Sequence, residues 1–227
     1  MGDIMLVQSY SHGASTKPLI GETLGVNFDA AVKKWGERDA LIVRHQNVRW
    51  SYLELQEKVN AFAAGLLNLG LEPGDRVGIW SPNNSEWVVV QYATAKAGLI
   101  LVNINPAYRV AELEYAINKV GCKALILASS FKSSDYVAMV GELAPEISKS
   151  TPGNISCGRL PSLNTLIQIG GKTNEGYFDF GQISDLASDK DFERLKVLSD
   201  ELQFDDPINI QFTSGTTGFP KGATLTH

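Results

Sequence analysis

The sequence predicts an α/β fold, with a mostly parallel sheet and helices on both faces. Three observations carry this. Short apolar runs of strand length alternate with longer segments of helical periodicity, glycines or turn clusters stand at most of the junctions, and the order is βαβα. Successive parallel strands need right-handed crossovers, and those place helices on the two faces of the sheet. The 227 residues are 44% hydrophobic and 20% charged, which suits a conventional core and excludes a disordered chain.

Taken in order, residues 1–22 read as a tail and residues 23–227 as one folded unit. Segment 23–36 places Phe28, Val32 and Trp35 at helical spacing and stops at Gly36. Ala40 to His45 and Val48 to Trp50 form a hairpin around Gln46-Asn47, and Ser51 with Glu54 makes the capping-box pattern of the next helix. That helix turns Leu55, Val59, Phe62 and Leu66 inward and ends near Gly70. The turn Glu72-Pro73-Gly74-Asp75 leads into a strand from Arg76 to Trp80. Ser85 then caps a helix that runs to Lys96 and ends at Gly98. Leu99 to Ile104 reads as a buried strand, Glu112 to Val120 as a helix closed by Gly121, Ala124 to Leu127 as a strand and Tyr136 to Leu143 as a helix. Residues 148–162, rich in Ser, Pro, Gly and Asn, read as a long surface loop. Thr165 to Ile169 resumes the sheet, 183–206 is helical in pattern with an acidic, solvated face, and Ile208 to Phe212 is one more strand.

Charge and composition exclude several classes of function. Twenty basic against 25 acidic residues give a net charge of -5, with no basic run to track a phosphate backbone, so no nucleic-acid partner is expected. Cys122, Cys157 and three histidines, without CxxC or HExxH, offer no metal site. The longest mainly apolar stretch, from Trp87 to Val102, is interrupted by Gln91, Thr94, Lys96 and Gly98 and is not a bilayer span. Residues 1–22 carry one Lys, no Arg and the acids Asp3 and Glu22, unlike a secretory signal or an Arg-rich transit peptide. A cytoplasmic address is the expectation, with the mitochondrial matrix as the alternative for a processed form. His12, His45 and Arg109 read as surface or structural residues, His227 as a helix-start residue, and Trp80, Trp87 and Cys122 as core.

Chemistry is concentrated directly after the last strand, in Thr213-Ser214-Gly215-Thr216-Thr217-Gly218-Phe219-Pro220-Lys221-Gly222. The glycines permit close backbone approach to an anion, the hydroxyls add donors and Lys221 supplies the counter-charge, a set that suits polyphosphate. A Walker A loop is excluded, because Pro220 precedes the lysine and Gly222 follows it where that motif needs Gly and Ser or Thr. A plain Gly/Ser/Thr linker gains nothing from the Pro-Lys-Gly ending.

The run TSGTTGFPKG resembles the phosphate-binding signature of the adenylate-forming superfamily, the AMP-dependent synthetases and ligases. Trp50-Ser51-Tyr52-Leu53-Glu54-Leu55 resembles that family's first core motif, and Ala95-Lys96-Ala97-Gly98 running to Asn105-Pro106 its second. Within it, residues 103–126 and 206–227 are most similar to medium-chain fatty acyl-CoA ligases. The resemblance implies that 23–227 is the N-terminal portion of the large, AMP-binding domain of such an enzyme. It implies MgATP, a fatty acid and coenzyme A as substrates. Thr213, Ser214, Gly215, Thr216, Thr217, Gly218, Phe219, Pro220 and Lys221 would hold the β and γ phosphates, with Lys221 stabilising charge in the transition state. The family's catalytic lysine, hinge and acyl tunnel would lie beyond this sequence. A helix should follow the phosphate run, the strand at 208–212 should form a bare edge, and the chain alone should be inactive and marginally folded. Aryl-CoA ligase, amino-acid adenylation and a non-catalytic nucleotide-binding fragment are the alternatives.

Overall fold

Helix α1 (Leu24–Trp35) begins where the Thr23 hydroxyl accepts the Val26 amide, in a computed structural model that describes residues 16–213 and 219–227. Strands β1 (Asp39–Val43) and β2 (Val48–Ser51) pair antiparallel across a 3-10 turn in which Asn47 takes the left-handed conformation. Helix α2 (Tyr52–Asn68) opens on the anticipated capping box: the Glu54 amide donates to Ser51 Oγ at 3.2 Å and the Ser51 amide to Glu54 Oε2 at 2.7 Å. The Ser51 amide first, and the Ser51 hydroxyl after it, hold the Glu54 carboxyl below its ordinary pKa.

After β3 (Arg76–Trp80), α3 (Ser85–Lys96) is capped by Asn84 and not by Ser85. Asn84 is extended and its Oδ1 accepts the Trp87 amide at 2.9 Å, while the Ser85 amide donates to Gln46 Oε1 on the hairpin at 2.7 Å. Strand β4 (Ile100–Asn103), helix α4 (Val110–Val120), strand β5 (Cys122–Ala128) and helix α5 (Tyr136–Leu143) continue the alternation. A small hairpin, β6 (Ser130–Phe131) with β7 (Ser134–Asp135), lies between β5 and α5. Gly121, at φ +63, turns α4 into β5. Strands β8 (Thr165–Ile169) and β9 (Phe178–Asp179), helices α6 (Phe180–Ile183) and α7 (Asp189–Glu201), and strands β10 (Pro207–Thr213) and β11 (Lys221–Thr226) complete the order.

Seven strands form one sheet in the order β11-β10-β4-β3-β5-β8-β9, parallel throughout except for β10 against β11. Strand residues alternate between two cores. Val77, Ile79, Leu101 and Ile126 join Phe28, Val59, Phe62, Val90 and Leu195 under α1, α2, α3 and α7. Trp80, Val102, Leu125 and Leu127 join Leu113, Ile117, Tyr136 and Val140 under α4 and α5. Both faces of the sheet are therefore covered by helices, as parallel strands require.

Residues 148–162 form the anticipated surface loop, most of it exposed, but Ile155, Cys157 and Leu160 turn inward and are buried in the second core; they follow no helix or strand period, so the polar residues around them conceal their role. Two expectations change. Residues 221–226 form a strand where a helix was anticipated, folding back on β10 with Lys221 opposite Thr213 and Leu225 opposite Asn209. This satisfies the second backbone edge of β10, so β10 is an interior strand and not a bare one.

Gly65 on α2 lies against the turn after α6, where an added Cβ would stand 2.0 Å from the Ile183 carbonyl oxygen. Alanine in a helix interior otherwise gains about 1 kcal/mol over glycine, but backbone overpacking costs about 1 to 3 kcal/mol or more. At 2.0 Å from a backbone oxygen the cost stands at the upper end of that range, so Gly65→Ala should destabilise the fold by about 2 kcal/mol net, read as a lower urea midpoint; an unchanged or higher midpoint would show that α2 and the end of α6 separate freely.

Candidate functional site

Strands β3, β4, β5, β8 and β10 run in one direction, so Trp80, Asn103, Ala128, Ile169 and Thr213 end on a common edge of the sheet. Open α/β sheets bind ligands outside that carboxyl edge, near the point where strand order reverses. Here β3 is followed by β4 on one side and β5 on the other. At the end of β3, Trp80 stacks on Tyr136 with ring centroids 3.6 Å apart and planes 12° from parallel, both fully buried. Trp80 Nε1 donates to the Asn105 carbonyl at 3.1 Å and the Tyr136 hydroxyl to the Pro106 carbonyl at 2.5 Å. Burial pushes the Tyr136 hydroxyl up to about 12, so it stays a protonated donor at neutral pH. The aromatic pair thereby pins the Asn105-Pro106 turn beside the end of β10's neighbour, β4.

Four of the anticipated phosphate-binding residues meet at the end of β10. Thr213 faces Lys221 across the β10-β11 ladder, and its hydroxyl lies 3.4 Å from the Lys221 carbonyl oxygen. Lys221 is exposed, and Phe219 is 76% exposed. From α4, Tyr115 stacks on Phe219 at 4.9 Å, meets Phe212 edge-on at 6.4 Å, and donates its hydroxyl to the Pro220 carbonyl at 3.0 Å. Ser214, Gly215, Thr216, Thr217 and Gly218 lie outside the described residues.

Sequence reasoning missed Tyr115, whose position on a helix 98 to 105 residues upstream carries no signal of what it touches. It also missed a polar strip on β10. The register sets Asn209 beside Leu101 and Gln211 beside Asn103, with Gln211 Nε2 donating to Asn209 Oδ1 at 2.7 Å. Asn209 Nδ2 and Asn103 Oδ1 are buried without a protein partner. The signal was available, because Asn209 and Gln211 occupy alternate positions of an otherwise apolar strand.

The remaining candidates take structural places. Arg109 precedes α4, its amide donating to Glu112 Oε2 and its guanidinium to Ser134 Oγ at 2.7 Å. His45 is exposed in the hairpin turn, and His12 lies outside the described residues. Cys122 is fully buried, which pushes its thiol up to about 12. Trp87 packs at the edge of the first core. His227 begins no helix: it follows β11, and its Nδ1 accepts the Leu24 amide at the start of α1 at 2.9 Å. A cavity of about 590 Å³ lined by Trp50, Lys58, Phe62, Glu86 and Phe180 lies among β2, α2, α3 and α6, away from the β10 end. No helix among the described residues is long and apolar enough to cross a membrane.

A family model described as AMP-binding enzyme matches residues 28–227. The medium-chain acyl-CoA ligase ACSF2, mitochondrial, of Danio rerio is 44% identical over 222 residues, covering 98% of this chain and 36% of that protein. The human protein of the same description is 42% identical, over 96% of this chain and 36% of its own length. The chain thus spans about a third of these relatives. Among solved structures, a long-chain-fatty-acid-CoA ligase from Archaeoglobus fulgidus aligns with TM-score 0.70 and 25% identity, over 96% of this chain and 39% of that one. An anthranilate CoA ligase in complex with anthranoyl-AMP shares the fold at TM-score 0.74 and 20% identity, over 92% of this chain and 35% of that one.

Burial lowers the pKa of His227, and nearby Asp206 opposes the shift only in part. Below the ordinary value of about 6.5 the unfolded chain then binds more protons than the folded one, so stability is full above that pH and falls as pH drops toward the folded value. The loss of Tm between pH 7.5 and 5.5 should be smaller in His227→Asn, whose side-chain oxygen can still accept the Leu24 amide. Equal losses would show that His227 does not titrate against α1.

Proposed function

The chain belongs to the AMP-binding enzyme family, and on that premise we propose that the protein activates a medium-chain fatty acid with ATP and transfers it to coenzyme A, holding the phosphates with residues 213–221. The observation that carries the reading is the placement of Thr213 and Lys221 opposite one another at the carboxyl end of β10. The substrate class rests on identity above 40% to ligases named for medium-chain acyl groups. The same names favour a mitochondrial location over a cytoplasmic one.

In the first half-reaction a carboxylate oxygen of the fatty acid bonds to the α-phosphorus of ATP, the bond from that phosphorus to the bridging oxygen breaks, and pyrophosphate leaves with the electron pair. In the second, the thiol sulfur of coenzyme A bonds to the acyl carbonyl carbon, AMP departs, and the thiol proton is released. Magnesium enters as part of the substrate MgATP. A carboxylate is a weak nucleophile, so the first step depends on stabilising the charge that builds on departing pyrophosphate.

Lys221 supplies a full positive charge there. The run also carries the hydroxyls of Thr213, Ser214, Thr216 and Thr217 and the backbone amides of Gly215 and Gly218, groups of the type that donates to phosphate oxygens. A donor that is in place before the reaction needs no reorganisation as charge develops, and a well-aimed one is worth about 3 to 4 kcal/mol. Phe219 and Pro220 join this group to the helix beneath it through Tyr115.

Two measurements on the full-length enzyme check the reading. Octanoate should drive ATP-dependent pyrophosphate release, whereas release with an amino acid or cinnamate and none with octanoate would reject the fatty-acid assignment. Lys221→Ala should slow adenylation by about ten- to a thousandfold with the fold intact. An unchanged rate would remove Lys221 from the phosphate site.

A further inference from the structure

We propose that Tyr115 is the positioning residue of the Phe219-Pro220-Lys221 arm, holding that arm against the end of β10 from a rigid helix. The inference deepens the reading above and rests on it for the identity of the ligand. Its basis is geometric. The phenol ring meets Phe212 before the run and Phe219 after it, and the phenol hydroxyl holds the Pro220 carbonyl, immediately before Lys221.

The helix that carries Tyr115 is itself firmly held. Leu113 and Ile117 are fully buried in the second core and Ala116 is buried beside them in the chain, Glu112 closes the N-terminus on the Arg109 amide, and Gly121 closes the other end. On the outer side, Glu114 pairs with Arg159 at 2.6 Å and Asn118 Nδ2 donates to the Arg159 carbonyl at 2.9 Å. A site supported from a helix is placed more accurately than one supported from a loop. The β10-β11 ladder pairs Thr213 with Lys221 but does not include Phe219 and Pro220. Tyr115 gives the exposed Phe219 ring a partner and the Pro220 carbonyl a donor. A residue that only filled core would not place its hydroxyl on the backbone next to the charged side chain.

Hydrogen exchange in the full-length enzyme, with and without millimolar MgATP, tests this in wild type, Tyr115→Phe and Tyr115→Ala. Tyr115→Phe keeps the ring contacts and loses the hydroxyl, whereas Tyr115→Ala loses both. Exchange over 219–222 should rise about two- to tenfold in the Phe variant and about ten- to a hundredfold in the Ala variant, with buried Leu125 and Ile126 on β5 unchanged. MgATP should slow exchange over 213–222 in wild type, and the concentration needed should rise in the same order, with Phe retaining most of the protection. Equal exchange over 219–222 in all three proteins would overturn the proposal. If the Ala variant also loosens β5, the Phe variant decides: a local rise supports positioning and no rise rejects it. If MgATP protects none of the three, the phosphate reading fails, and the exchange without ATP still decides the role of Tyr115.

Discussion

A parallel sheet must be buried on both faces, and that constraint organises this molecule. Each central strand supplies apolar side chains in both directions: on β3, Val77 and Ile79 face one core while Trp80 faces the other. Between them Gly78 leaves room for Leu125 and Ile104, which would stand 3.0 and 3.1 Å from a Cβ at that position. The crossovers that cover the faces also force six strands, β9 among them, to end on one edge. The polar, glycine-rich run after β10 thus reaches a place where backbone donors and exposed charge can gather without disturbing either core.

The phosphate grip proposed here differs from the usual helix N-terminus, where anion binding draws on unpaired amides and the helix dipole. Thr213 ends one strand and Lys221 begins its antiparallel neighbour. The hairpin ladder sets the distance between them, and the aromatic contacts of α4 set the direction of the second arm. Orientation comes from one hairpin and a helix about a hundred residues earlier in the chain, which suits a site that must present a charge and several hydroxyls to one group of oxygens.

Much of the fold was legible because periodicity and punctuation agreed. Phe28 and Val32, the Ser51-Glu54 box, and the glycines at 98 and 121 marked elements that formed close to where they were read. What failed was information that no local pattern holds. Ile155, Cys157 and Leu160 enter the core from an irregular segment, and the strand at 221–226 exists because β10 offers it an edge. Asn84 caps α3 in place of Ser85, whose hydroxyl donates to Glu86 and whose amide goes to Gln46, some forty residues earlier in the chain. The candidate site divides in the same way: the chemistry proposed for it rests on residue types in one run, while the Tyr115 contact spans about a hundred residues and no local pattern carries it.

The position of β10 also sets a timetable for synthesis. Strand β4 pairs with β3 on one side and with β10 on the other, and β10 leaves the ribosome about 100 residues after β4. At about 5 to 20 residues per second, the outer edge of β4 stays open for on the order of 5 to 20 s. Ile100, Leu101 and Val102 make it an apolar edge, the kind that pairs with other nascent chains. A helper that shields this edge while translation continues would act before the sheet can close itself, and slow codons between residues 104 and 207 would lengthen the exposure.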